Sequence, residues 1–128
     1  GQPLTLERAE VVHLIDQVTA NKKDLHLPLI QSQDMQVMAM AVEREVPMET
    51  HSDMSQLLVV IEGTALLTVK ATQTERGEDM RCLPVSHHMQ AGDAYLIPRR
   101  TPHQIQNTSE DGQILRMFTV YSPPNHKE

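Results

Sequence analysis

Apolar residues recur at Leu6, Ala9, Val12, Ile15 and Val18 with polar residues between them, a spacing that predicts one helix from about Leu6 to Ala20. Thr5 is placed to cap its start, and Asn21 followed by Lys22 and Lys23 reads as its stop. Beyond this point the pattern shortens to β-like runs. These are Met35–Val42, Leu57–Ile61, Ala65–Ala71, Arg81–His87, Ala94–Ile97, His103–Asn107 and Ile114–Tyr121. Turn signals separate them at Val46-Pro47, Glu62-Gly63, Arg76–Asp79, Ala91–Asp93 and Glu110–Gly112. One helix followed by many short strands predicts an all-β antiparallel sandwich or barrel. A helix and lead-in segment (1–34) would precede a β-barrel (35–128), together forming one domain.

Two stretches break the simple pattern. Leu57–Ile61 is apolar at every position, whereas a strand with one wet face alternates, so both faces are expected to be covered. The outer cover would be the helix, an N-terminal strand or a second subunit; a homodimer is the most economical. The segment Thr72–Gln90 is a long connection with charged and turn-forming residues at Thr74–Asp79. It predicts a protruding hairpin tip with Arg81–His88 returning. The proline-containing tail Ser122–His126 reads as an extended surface segment.

Composition narrows the function classes. The 128 residues carry a net charge of −6, and no Lys/Arg cluster exceeds a pair, so no nucleic-acid role is expected. No apolar run approaches a bilayer span, and the N-terminal stretch lacks the layout of a secretory leader, so no membrane role is expected. Cys82 stands alone and reads as a small buried apolar residue; the lack of a disulfide framework favours a reducing, cytoplasmic setting. Tyr95, Phe118 and Tyr121 are the only aromatics, and the core must be built from Leu, Ile, Val and eight Met.

Chemistry concentrates in two spaced motifs, Glu49-x-His51-x4-Gln56-x6-Gly63 and Gly92-x5-Pro98-x-Arg100-x2-His103-x3-Asn107. Alternate residues of a strand share a face, so Glu49 and His51 should point together, as should His103 and Asn107. Brought together, two imidazoles and a carboxylate would suit one divalent transition metal (Fe, Mn, Ni, Co or Zn) with coordination positions left open. Gln56 is a neutral, weaker donor that would bind through oxygen or fix a bound water. Gly63 and Gly92 read as tight-turn positions. His13 and His126 read as solvent-facing and His26 as unpartnered. His87 and His88, being adjacent, should face opposite ways.

These motifs resemble those of the cupin superfamily, whose usual forms are G-x5-H-x-H-x3–4-E-x6-G and G-x5-P-x-G-x2-H-x3-N. Glu49, His51 and Gln56 stand for the first His, the second His and the Glu; Arg100 stands where glycine is usual. The Tyr121-x-Pro123-Pro124-x-His126 ending is similar to that of a subgroup of small single-domain cupins. The resemblance implies a double-stranded β-helix, or jelly-roll barrel, with one metal on His51, His103, Glu49 and Gln56. A second register, His51-x-Asp53 with His103, fits the triad of Fe(II)/2-oxoglutarate oxygenases, with Asp53 otherwise a turn residue. Arg100 is either a surface turn residue or a guanidinium at the barrel mouth for an anionic substrate. The expected function is metal-dependent chemistry on a small polar molecule, either isomerisation of a sugar or sugar-phosphate or oxygen-dependent oxidation. The alternative is a cupin that binds a small ligand without turnover.

Overall fold

The structure is a computed structural model that describes residues 8–73 and 81–126, the side chains of 71–73 and 81–83 excepted. A short helix, α1 (Leu14–Ala20), leads into nine strands. They are β1 (Leu27–Gln31), β2 (Gln36–Val42), β3 (Glu45–Glu49), β4 (Ser55–Glu62), β5 (Thr64–Gln73), β6 (Arg81–Gln90), β7 (Ala94–Ile97), β8 (His103–Asn107) and β9 (Leu115–Ser122). They form two antiparallel sheets in the orders β1-β2-β9-β4-β7 and β3-β8-β5-β6. The expected all-β jelly roll with one short N-terminal helix is what the chain forms.

The two inner faces supply the core. Met40, Val42, Leu58, Val60, Ile97, Leu115 and Met117 come from the first sheet; Val46, Ala65, Leu67, Val69, Met89 and Ile105 come from the second. In β4 the even positions Gln56, Leu58 and Val60 are buried, and the odd positions Leu57, Val59 and Ile61 face outward with partial exposure. The continuous apolar run therefore does alternate in space. Its outer cover is incomplete. Helix α1 packs towards β2, β4 and β9, burying Val18 and the outward Ala39 and Ala41. The cover does not reach Leu57, which is 37% exposed, or its β7 neighbour Leu96, which is 64% exposed.

Several expectations need correction. The helix begins at Leu14, not Leu6, and residues 8–13 are not helical; the Thr5 cap lies outside the described residues. Asn21 does end it. Its backbone N–H donates to the Val18 carbonyl, and its side chain bridges to both the N–H and the carbonyl of Asp24. Strands β1 and β3 fall outside the β-like runs named above, although Glu49 was expected on a strand. β1 lies within the lead-in segment and adds an edge to the first sheet. In place of a turn at Val46-Pro47 the chain continues as β3. Proline is tolerated there because β3 is an edge strand and the ladder breaks its register between Val46 and Glu49. The Thr74–Asp79 tip lies outside the described residues, as does the Cys82 side chain, while β5 and β6 pair along ten residues each.

The loop ends explain the glycine and asparagine positions. Gly63 has φ +89°, and a β-carbon there would collide with the Ser109 hydroxyl. That hydroxyl accepts the Thr64 N–H at 2.9 Å. Asn107 closes the end of the barrel. Its amide lies 3.1, 2.9 and 2.8 Å from the carbonyls of Val42, Glu43 and Gln113, and its Oδ1 accepts the Ser109 N–H at 2.9 Å. The asparagine of the second motif is thus a fastener between three chain segments.

Candidate metal centre

The centre begins with a defect in β3. Val46 faces Ile105 and Glu49 faces His103, so three steps along β3 match two along β8. One extra residue in a strand re-aims the residues beyond it. A regular ladder would turn Met48 inward; the bulge at Pro47-Met48 exposes Met48 and turns Glu49 towards His103. His51 lies just past the strand end, where its carbonyl accepts the Arg100 N–H at 2.7 Å. Arg100 has φ +63°, a left-handed conformation that glycine adopts most easily. This accounts for the glycine usual at this position of the motif, and the Arg100 side chain itself is exposed.

His103 is 1% exposed, and its Nδ1 lies 2.9 Å from the Thr101 carbonyl. A carbonyl only accepts, so Nδ1 carries the hydrogen and Nε2 is left as a bare lone pair. That lone pair is 3.6 Å from Glu49 Oε1, and His51 Nε2 is 3.4 Å from the same oxygen. A hydrogen on these Nε2 atoms would instead bond Glu49, from His103 first and His51 after it, and hold its carboxyl well below the usual carboxylate range against the opposing effect of burial. One potential donor atom from each of Glu49, His51 and His103 lies within 4.8 Å of the others. The cluster can hold a metal ion.

Gln56 is buried on β4 and is linked to this cluster through Tyr121, whose ring meets that of His51. Its Nε2 is 2.9 Å from Thr119 Oγ1 and 3.3 Å from the Tyr121 hydroxyl. The Thr119 hydroxyl donates its own hydrogen to the Leu57 carbonyl, so it must accept from Gln56. This orients the amide and leaves Oε1 buried without a hydrogen-bond partner, as are His51 Nε2 and His103 Nε2. Buried acceptors without donors are costly; the two imidazole nitrogens, converging with the Glu49 carboxylate, are what a cation would satisfy. The donor set therefore fits a metal.

Asp53 does not join this cluster. It is exposed, and its carbonyl accepts the Asn125 amide at 3.3 Å. His13 and His88 are exposed, in keeping with their reading. His87 turns the other way, towards Tyr95, whose hydroxyl is 3.3 Å from its Nε2.

The sequence reading missed His26, Tyr121 and His126 as parts of this region. The tail is not simply extended along the surface. His126 stacks on Tyr121 with ring centres 4.6 Å apart and lies 4.3 Å from His26 and 5.7 Å from His51. Tyr121 in turn meets the His51 ring edge-on at 5.6 Å. The His126 carbonyl also accepts from the Gln36 amide at 3.4 Å. Burial, assisted by His126, pushes the His26 imidazole down to about 4. Burial and the Glu49 charge push the Tyr121 phenol up, keeping it protonated. The Tyr-x-Pro-Pro-x-His ending was the one available signal, but spacing alone says nothing about where a tail folds.

A family model described as a cupin domain matches residues 36–121. The chain is a cupin. A protein of Bacillus halodurans, BH2720, superposes with a TM-score of 0.78 at 24% identity, over 94% of this cupin and 86% of that chain. KdgF from a Halomonas species gives 0.61 at 17% identity, over 78% of each chain. An oxalate decarboxylase of Lactobacillus farciminis, solved as a formate complex, gives 0.59 at 19% identity, over 75% of this chain and 25% of that one. In sequence, the β-conglycinin α′ subunit of Glycine max is 33% identical over 75 residues, which is 59% of this chain but only 10% of that protein. At these identities the structural likenesses show the fold alone. No helix among the described residues is long and apolar enough to cross a membrane.

Proposed function

We propose that this cupin holds one divalent transition metal on Glu49, His51 and His103, with Gln56 Oε1 as an additional neutral donor, and uses it to act on a small polar metabolite. The observation that carries this reading is the convergence of Glu49 and two buried, unpartnered imidazole nitrogens from separate elements. Bound there, a metal would act as a Lewis acid towards a substrate oxygen, or as a site for oxygen-dependent oxidation. The chain's own part is positional. The Thr101 carbonyl fixes the His103 tautomer, the β3 bulge aims Glu49, and Thr119 with Tyr121 orients Gln56. Three or four protein donors leave room for a ligand in the coordination shell of such metals. Fold likeness carries no reaction, so isomerisation of a sugar or sugar-phosphate and oxidation both stay within the proposal.

Elemental analysis of the wild type beside His51→Ala and His103→Ala tests the site. About one metal per chain in the wild type and loss in both variants, with the fold retained by circular dichroism, is expected. Equal metal content in all three refutes it. Turnover is tested by loading Fe(II), Mn(II) and Zn(II) separately and measuring oxygen uptake and sugar-phosphate isomerisation. Tight ligand binding with no turnover under any metal makes the protein a binding module.

A further inference from the structure

Two further imidazoles, His26 and His126, adjoin His51 and Tyr121 and do not belong to the metal-ligand set. His26 precedes β1 and His126 lies in the tail after β9, so the two flanks of the fold each deliver one ring to the same place. The rings lie 4.3 Å apart, and His126 is 5.7 Å from the His51 ring. Three facts limit what they do. Their ring nitrogens do not join the group of donors that converge within 4.8 Å, so they are not part of the primary ligand set. His26 Nε2 is buried and makes no hydrogen bond, so it offers an unused polar atom in a place where such atoms are costly. Its environment includes the Glu49 and His51 side chains, both of which act on it electrostatically.

Charge then selects the ligand. A divalent ion on Glu49, His51, His103 and Gln56 meets one negative charge from the protein, leaving a net charge of about +1 in a largely buried site. A monoanion compensates that charge, whereas a neutral polyol does not. A ligand that spans the metal and an imidazole needs one oxygen for the ion and a second for an N–H. The carboxylate group has that pair of oxygens. We propose that His26, braced by His126, is the ligand-reading residue of this centre, and that the group it reads is the carboxylate of a small organic acid. This rests on the metal site proposed above.

The test uses the full chain loaded with Co(II), whose visible spectrum reports the coordination shell, and acetate as the probe. Wild type and His26→Phe are first compared for cobalt content and spectrum without acetate, then titrated with acetate. Equal cobalt content and spectra are expected, with acetate bound about tenfold more weakly by His26→Phe, the loss of one hydrogen bond to a charged acceptor. His26→Gln keeps an N–H donor and should stay within about threefold of wild type, on the same reasoning. Acetate affinity unchanged in His26→Phe overturns the inference and leaves the metal site standing. Cobalt lost from both His26 variants also overturns it, because His26 then supports the metal and not the ligand. No cobalt uptake by the wild type overturns the metal reading, and this inference with it.

Discussion

Asn107→Asp replaces one NH₂ group by an oxygen at constant shape, and so isolates the fastening role of the second motif's asparagine. The native amide faces the carbonyls of Val42, Glu43 and Gln113. An NH₂ has two hydrogens, so at most two full bonds are lost, at about 1 kcal/mol each. The introduced carboxylate then faces three carbonyl oxygens, which adds about 1 kcal/mol of repulsion at a partly solvated site. The expected loss at pH 7 is about 3 kcal/mol, or a Tm drop of roughly 12 °C for a chain of this length. The sign with pH comes from linkage. Repulsion raises the folded-state pKa of the new carboxyl above its unfolded value of about 3.9. The folded variant therefore holds more protons in that window, and its stability falls as pH rises through it. Urea melts of metal-free wild type and variant at pH 4 and pH 7 measure both effects. The penalty at pH 7 should exceed that at pH 4 by roughly 0.7 kcal/mol, while metal affinity stays close to wild type. A penalty below about 0.5 kcal/mol, or one independent of pH, would refute the fastening argument.

Gln56→Glu should bind the metal more tightly, Glu49→Ala more weakly, and Asp53→Ala as wild type does, read by competition with a chromophoric chelator. Loss of binding in Asp53→Ala with retention in Glu49→Ala would establish the alternative triad. His26 stays neutral down to about 4 in the fold against 6.5 unfolded, so the unfolded chain takes up an extra proton between these values. Metal-free protein should accordingly lose on the order of 1–2 kcal/mol on acidification through that window, the full linkage value being reduced by solvent screening of this part-exposed ring. His26→Phe should lose that part of the slope in pH-dependent urea melts; an unchanged slope argues against it. Exposed Leu57 and Leu96 predict a homodimer, with light scattering near twice the 14.5 kDa chain mass and Leu96→Glu shifting it to monomer. A wild-type monomer points instead to α1 as the cover of that sheet.

Much of the barrel was legible because local rules govern it. Period-two burial, turn glycines and strand-sized apolar runs placed β7 and β8 to the residue and β2, β4 and β9 to within two residues or so at either end. The hydrophobic run of β4 was legible as a strand, but its division into a buried and a half-exposed face required neighbours on both sides. The short helix was overextended because periodicity shows which face could be buried, not whether the first turns have anything to pack against.

The likeness of the two motifs to those of cupins pointed to Glu49, His51 and His103 as one cluster, which the fold does bring together, and the residue types determined what kind of ion they suit. Only the tertiary structure decided how they meet. A one-residue bulge at an edge proline, invisible to a period-two reading, aims Glu49 inward. A carbonyl two residues before His103 selects its tautomer. His26 and His126, 100 residues apart in sequence, come together at 4.3 Å from the lead to β1 and the segment after β9, whose parent strands both pair with β2. No local pattern encodes that contact, since it arises from sheet order and a folded-back chain end, and these are properties of the assembled fold.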